Sequence, residues 1–134
     1  MVTRRLRGSQ DGWTLVELTI VIMLITILAG MAMAGYRTAI TRSREAVLKE
    51  DLFRMRDALD QYYADRGEYP SDLASLVEAG YLRSIPDDPF TNSPDTWQTV
   101  LANLDPANPI AQGIFDVKSG FEGSAIDGTA YADW

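Results

Sequence analysis

Residues 12–36 read GWTLVELTIVIMLITILAGMAMAGY, and this stretch decides the fold. Its last nineteen residues, 18–36, carry no charge. As a helix that rises about 1.5 Å per residue, they would reach about 28 Å. That length matches the hydrocarbon core of a lipid bilayer. We therefore predict a membrane-spanning helix near the N-terminus.

The segment before this helix is short and basic. Residues 1–12 carry three arginines against Asp11, a net charge of +2. Because the arginine-rich flank stays in the cytoplasm, the residues after Tyr36 are expected on the far side of the membrane. Three kinds of segment fit this pattern: a secretory signal cut near Ala32-Met33-Ala34, a plain single-span anchor, and a helix that polymerises.

Glu17 favours the polymerising helix. A charge at the centre of a membrane costs roughly 2.5 to 3.5 kcal/mol, and less near the interface, so this carboxylate calls for a partner. Cleavage after Gly12 would create that partner, because the new α-amine on Trp13 lies four residues from Glu17. A neighbouring subunit that presents its amine to this carboxylate would hold two helices in register.

The sequence Gly-Trp-Thr-Leu-Val-Glu before a long apolar helix resembles the prepilin signature of type IV pilins and type II secretion pseudopilins. The resemblance implies that a prepilin peptidase cuts after Gly12, removing residues 1–12. It also implies that Trp13 is N-methylated and that Glu17 guides the assembly of subunits through the helix 13–36. The family often has a proline near the middle of this helix, where this chain has Ala34 close to two glycines.

The next segment, residues 37–66, has the pattern of an amphipathic helix. Its apolar residues recur at spacings of four and three, which places them on one helical face. We expect this helix to continue the membrane helix and to pack on a small head. We interpret its apolar face as core and its charged face as solvated surface. The apolar positions are Leu48, Leu52, Met55, Leu59 and Tyr62, and the charged positions are Arg42, Lys49, Glu50, Arg54, Asp57 and Asp60.

The remaining residues, 67–134, are expected to form the head. Gly67 is predicted to end the long helix. Ser71 is a predicted N-cap for a short helix that ends near Gly80. Strands are predicted at residues 97–101 and 113–117, between loops rich in proline.

Residues 66–92, RGEYPSDLASLVEAGYLRSIPDDPFTN, resemble the major pseudopilin of type II secretion systems. In that family a YP turn, a short helix and a DPF or DPW loop precede a small antiparallel sheet. The predicted fold class is therefore α+β and pilin-like. It has a long N-terminal helix packed on a small head with a short helix, a minimal antiparallel sheet and an irregular C-terminal loop.

The composition excludes several kinds of chemistry. The chain has no cysteine and no histidine, which excludes disulfides and thiolate metal sites and removes the usual general base. Residues 67–134 carry two basic against eleven acidic residues, a net charge of −9. Because phosphate binding needs a cationic face, we expect no nucleic-acid partner; divalent cations and basic protein patches fit better.

The acidic C-terminal segment is a candidate calcium site. Asp116, Glu122 and Asp127 lie among glycines and serines, and irregular loops rich in oxygen ligands suit a hard cation. Acids that are merely solvated are the alternative. The segment also resembles the calcium loop of major pseudopilins, in which Asp116 would be the leading ligand. Gly123 occupies the place of the second side-chain ligand, so Glu122 or Asp127 would substitute for it.

Three function classes follow from these patterns. The first is a pseudopilin, a non-enzymatic subunit in the bacterial inner membrane with its head in the periplasm. The resemblance implies as its partners further copies of the chain in a helical homopolymer, the prepilin peptidase, minor pseudopilins and an inner-membrane assembly platform. The second is a major or minor pilin of a surface fibre; the lack of cysteine favours the first, because such pilins commonly close a C-terminal loop with a disulfide. The third is an exported enzyme or binding protein, for which no nucleophile–base pair or metal constellation is found.

Overall fold

A computed structural model describes residues 11–102 and 113–134 of the chain. The elements in order are helix α1 (Asp11–Arg66), helix α2 (Leu73–Glu78), strand β1 (Gln98–Leu101), strand β2 (Ile114–Lys118) and a short 3-10 helix (Tyr131–Asp133). The chain divides into two compact units, with the boundary between Ile40 and Thr41. The α+β fold predicted from the sequence is confirmed.

Helix α1 is a single helix of 56 residues, so the predicted helices 13–36 and 37–66 form one element. Its sequence contains no proline, and both Gly30 and Gly35 are helical. The helix ends before Gly67, as predicted. Gly67 adopts a φ of 71°, a left-handed conformation that glycine tolerates without steric cost, and its amide donates to the carbonyl oxygen of Tyr63 at 2.8 Å.

The predicted apolar stripe of α1 forms the centre of the head's core. Leu48, Met55 and Leu59 are fully buried, and Leu52 and Tyr62 are nearly so. The six charged residues predicted for the opposite face are all exposed, which confirms the amphipathic pattern. The stripe clusters with buried residues from the rest of the head: Leu73, Leu76, Trp97, Ile114, Val117, Ala125 and Tyr131.

Helix α2 begins one residue later than its predicted cap implies. Asp72, in an extended conformation, is the N-cap, and its Oδ1 accepts from the amide and the hydroxyl of Ser75, both at 2.7 Å. The prediction of Ser71 as N-cap is therefore wrong. The Ser71 hydroxyl instead lies 3.1 Å from the Ser75 hydroxyl. The predicted end near Gly80 is confirmed, because α2 ends at Glu78 and Gly80 has a φ of 84°.

Strands β1 and β2 pair antiparallel and form the two-stranded sheet. Both strands occur within one residue of their predicted bounds, 97–101 and 113–117. A shift in register follows Val100, which pairs with Asp116, whereas Leu101 pairs with Ile114. Residues 103–112, which come between the two strands in sequence, lie outside the described residues.

The segment after β2 is irregular but packs closely on the core. An isolated bridge joins Ser124 to Ala130, and the 3-10 helix follows. Tyr131 is buried beside three other aromatic rings, with centroid distances of 4.4 Å to Phe90, 5.8 Å to Phe121 and 5.1 Å to Trp134. Aromatic contacts thus hold an acidic, glycine-rich segment against the head.

Candidate functional site

The apolar half of α1 has no covering from the described chain. Its large apolar side chains between Leu15 and Ile40 are all exposed, from 36% at Ile40 to 71% at Met31. The helix is long and apolar enough to cross a membrane, with a mean hydropathy of 2.4 in its most apolar window. Because so large an apolar surface is unfavourable in water, lipid or other protein must cover it.

Two threonine hydroxyls in this half are satisfied by main-chain carbonyl oxygens of the same helix. The hydroxyls of Thr19 and Thr26 donate to the carbonyl oxygens of Leu15 and Ile22, both at 2.8 Å. Such bonds between a side chain and the carbonyl four residues earlier lower the cost of a hydroxyl in hydrocarbon. The two threonines are therefore compatible with a membrane-spanning helix.

Glu17 differs from these threonines. Its side chain is exposed and makes no hydrogen bond or ion pair with any other residue that the structure describes. Gly12 and Trp13 belong to the first turn of α1, whereas the rest of the predicted leader, residues 1–10, lies outside the described residues. Because Trp13 and Glu17 are four residues apart on one helix, their positions lie on the same face, separated by a rise of about 6 Å.

The predicted calcium ligand Asp116 already has partners. Its Oδ1 accepts from Nε of Arg56 at 2.6 Å and from the amide of Val117 at 2.8 Å. Arg56 is thus a charged partner in direct contact with the atom that a calcium ion would bind. The ion pair is partly shielded from solvent, with 36% of the Arg56 side chain and 27% of the Asp116 side chain exposed.

The other two predicted ligands are not brought to Asp116. Asp127 closes its own turn: its Oδ1 accepts from the Thr129 hydroxyl at 2.6 Å and the Thr129 amide at 3.0 Å. These bonds stabilise the carboxylate and hold the pKa of Asp127 below its usual value, the hydroxyl contributing most. Glu122 is exposed. In residues 11–102 and 113–134 no group of three or more acidic side chains is placed to hold a metal ion.

The three carboxylates predicted from the sequence do not form a calcium site in the fold. Calcium takes six to eight oxygen ligands, whereas here one carboxylate is paired with a guanidinium, one with its own turn, and one points to solvent. The calcium site therefore stays a prediction that the observed contacts do not favour.

Two residues of α1 that the sequence analysis did not identify form hydrogen bonds with the C-terminal segment. Oε1 of Glu45 accepts from the amide of Ile126 at 2.8 Å and from the hydroxyl of Tyr131 at 3.0 Å. Arg56 is the second such residue, through its bond to Asp116. A signal for both existed, because Glu45 lies three residues before Leu48, and Arg56 lies one turn after Leu52, at the edge of the apolar stripe.

A second pair missed from the sequence is fully buried. Asp88, in the DPF loop, accepts at Oδ1 from the amide of Phe90 at 2.8 Å and at Oδ2 from the hydroxyl of Ser119 at 2.6 Å. Asp88 and Ser119 are each 0% exposed. The DPF aspartate thus fixes a loop to the residue that follows β2, which is a structural role.

Comparison with known proteins identifies relatives along most of the chain. The chain is 30% identical to the type II secretion system core protein G of Pseudomonas aeruginosa, over 96% of this chain and 97% of that protein. It is also 30% identical to the core protein G of Escherichia coli K12, over 86% and 83% of the two chains. The fimbrial protein EcpC of Eikenella corrodens is 29% identical over 92% of this chain and 81% of its own length.

No family model matches the chain, and no solved structure matches it. The two core G relatives nevertheless span nearly all of it at 30% identity, including the exposed apolar helix and the head. The chain therefore belongs to the type IV pilin-like proteins, in the family of the type II secretion system core protein G, the major pseudopilins.

Proposed function

We propose that this chain is the structural subunit of a periplasmic pseudopilus that serves protein export by a type II secretion system. The subunit is inserted in the bacterial inner membrane through residues 13–36, with its head in the periplasm. It is cut after Gly12, N-methylated at Trp13, and then polymerised with further copies of itself. Its role is mechanical and not enzymatic.

The observation that carries this proposal is Glu17. A carboxylate that has no partner among the described residues lies on an exposed apolar helix, one turn after the Gly12–Trp13 junction. Membrane burial of that carboxylate costs free energy unless a cation meets it. The amine released by cleavage at Trp13 is such a cation, and a second copy of the chain supplies it on a helix of the same length. Polymerisation thereby satisfies both the charge and the exposed apolar surface.

The names of the relatives support a type II secretion system as the assembly to which this chain belongs. Proteins named as core components of type II secretion systems align with nearly the whole chain. By this likeness we propose a prepilin peptidase, minor pseudopilins and an inner-membrane assembly platform as partners.

A surface pilus subunit is the second candidate function, because one relative over most of the chain is a fimbrial protein. Deletion of the gene separates the two: loss of secreted proteins from the medium with surface fibres intact supports the pseudopilus. Loss of surface fibres with secretion intact supports the pilus.

Processing is tested by the mass of the protein extracted from membranes. We expect residues 13–134 with one added methyl group. A chain that starts at Gly35, after the Ala32-Met33-Ala34 triplet, would instead indicate an ordinary secretory signal. An uncut chain in cells that contain an active prepilin peptidase would also contradict the proposal.

The role of Glu17 is tested with Glu17→Ala, using Glu68→Ala as the matched control, since Glu68 is exposed in the loop after α1. Breaking a buried ion pair costs about 3 kcal/mol or more, so the yield of sheared filaments should fall roughly tenfold or more. Membrane insertion, measured by carbonate extraction, should stay unchanged in both variants. Normal filament yield from Glu17→Ala would refute the charge pairing.

A further inference from the structure

We propose that Arg56 takes the place of a bound metal ion in this head, so that the acidic C-terminal segment is held by a cation of the chain itself and folds without calcium. The proposal concerns stability of the head and does not depend on the filament function. It accounts for the partner of Asp116, the first of the three residues predicted to bind calcium.

Arg56 forms hydrogen bonds with three residues in two separate parts of the head, and we call this set of contacts the Arg56 clamp. Its Nε donates to Oδ1 of Asp116 at 2.6 Å. Its Nη2 donates to the main-chain oxygens of Val117, at 3.0 Å, and Trp134, at 2.5 Å. One side chain on α1 therefore joins strand β2 to the last residues of the chain. A metal ion in a loop does the same by collecting oxygen atoms from distant segments.

The oxygens gathered around Arg56 suit a guanidinium better than a metal. One carboxylate oxygen and two carbonyl oxygens face the planar fork of N–H donors, which stays charged at every physiological pH. A calcium ion that approached Oδ1 of Asp116 would meet this fixed positive charge. In the part of the chain that the structure describes, every buried side-chain nitrogen or oxygen has a hydrogen-bond partner, so no buried side-chain oxygen there is left free for an ion.

The neighbours of Arg56 along α1 hold the same segment. The Lys49 ammonium lies 4.1 Å from the centroid of the Trp134 ring, a cation–π contact. Glu45 accepts from Ile126 and Tyr131, as described above. Residues of α1 beside its apolar stripe thus supply cations and a carboxylate to residues 116–134, which are otherwise rich in acids. The segment is attached at several points without an external ligand.

The first test needs only the wild-type chain. Full-length protein in a mild detergent is heated in millimolar calcium, in millimolar magnesium and in chelator, with unfolding followed by near-UV circular dichroism. We expect the three melting temperatures to agree within about 1 °C. A ligand at a hundredfold excess over its Kd would raise the melting temperature by roughly 10 °C in a unit of this size, so a rise of that order in calcium alone would overturn the proposal.

The second test removes the clamp. Arg56→Gln should lower the melting temperature by at least about 5 °C, because three hydrogen bonds to a charged donor are lost. Arg54→Gln is the matched control. Arg54 is exposed and forms a surface ion pair with Glu50 one turn away, so its loss should change the melting temperature little. If Arg56→Gln does not fold, Arg56→Lys is measured instead, because lysine keeps the positive charge but not the planar fork of donors. Its melting temperature should lie below that of the wild type. Equal stability of Arg56→Gln and Arg54→Gln would refute the clamp.

Discussion

Replacement of Ser119 by alanine should destabilise the head strongly, although the change removes a single oxygen atom. The Ser119 hydroxyl donates to Oδ2 of Asp88 at 2.6 Å, and both residues are 0% exposed. The same hydroxyl accepts from the amide of Phe121 at 3.2 Å. Removing it leaves a buried carboxylate oxygen without its hydroxyl donor and a main-chain amide without its acceptor.

The magnitude follows from these losses. A hydrogen bond to a charged group contributes about 1.5 to 3 kcal/mol, and a buried group left unsatisfied carries its full desolvation cost. We therefore expect Ser119→Ala to lower the free energy of unfolding by about 2 kcal/mol or more. In a unit of this size that corresponds to a fall in melting temperature of roughly 10 °C.

The assay is thermal unfolding of the full-length chain in detergent, followed by near-UV circular dichroism of the packed aromatic rings. Ser84→Ala is the matched control, because Ser84 is exposed and the substitution is the same. Surface changes of this kind stay within about 0.5 kcal/mol. If Ser119→Ala has the same melting temperature as Ser84→Ala and the wild type, the reasoning about the buried Asp88 carboxylate is wrong.

Two further predictions concern the same core. Burial, followed by the hydrogen bond to Glu45, raises the pKa of Tyr131 to about 12, so the native state binds this proton more tightly than the unfolded state. The stability that this pKa difference contributes is present below pH 10 and is lost as the pH rises towards 12. The free energy of unfolding of Tyr131→Phe should therefore fall less than that of the wild type between pH 9 and pH 11.5. Leu59→Ala, at a fully buried position, should cost about 3 kcal/mol in thermal unfolding, whereas Phe53→Ala, at a position 67% exposed, should cost far less. Equal losses would show that the stripe is not the core.

The long helix and its buried stripe were predictable because they depend on local periodicity. Spacings of four and three from Leu48 to Tyr62 select one face of a helix whatever the head contains. Gly67 ended the helix for an equally local reason, since its φ of 71° is accessible to glycine. The cap of α2 was missed by one residue because Ser71 and Asp72 are both good caps, and only the backbone geometry decides between them.

The contacts of the C-terminal segment were not predictable in this way. Arg56 and Asp116 are 60 residues apart in sequence, and Glu45 and Tyr131 are 86 apart. From sequence alone, a charge on a helix is most simply read as solvated, and an acid in a glycine-rich loop can be either a solvated side chain or a metal ligand. Which acids meet which cations depends on where the segment after β2 crosses α1. That is a property of the tertiary fold: the sequence places Glu45 and Arg56 beside the apolar stripe of α1 but does not identify the residues that they contact.

The two units of the chain gain their stability from different sources, which suits a subunit that must exist both alone and in a polymer. Among the described residues from Thr41 onwards, the chain buries a core of its own, and every buried side-chain nitrogen or oxygen has a hydrogen-bond partner. The apolar side chains before Thr41 are exposed, and Glu17 among them has no partner in the described chain. Lipid can cover the apolar side chains of a single subunit, but it offers no cation to the carboxylate. If the chain is cut after Gly12, as we propose, a second copy would supply such a cation as the free amine at Trp13, and this difference in free energy would favour polymerisation over the free subunit in the membrane.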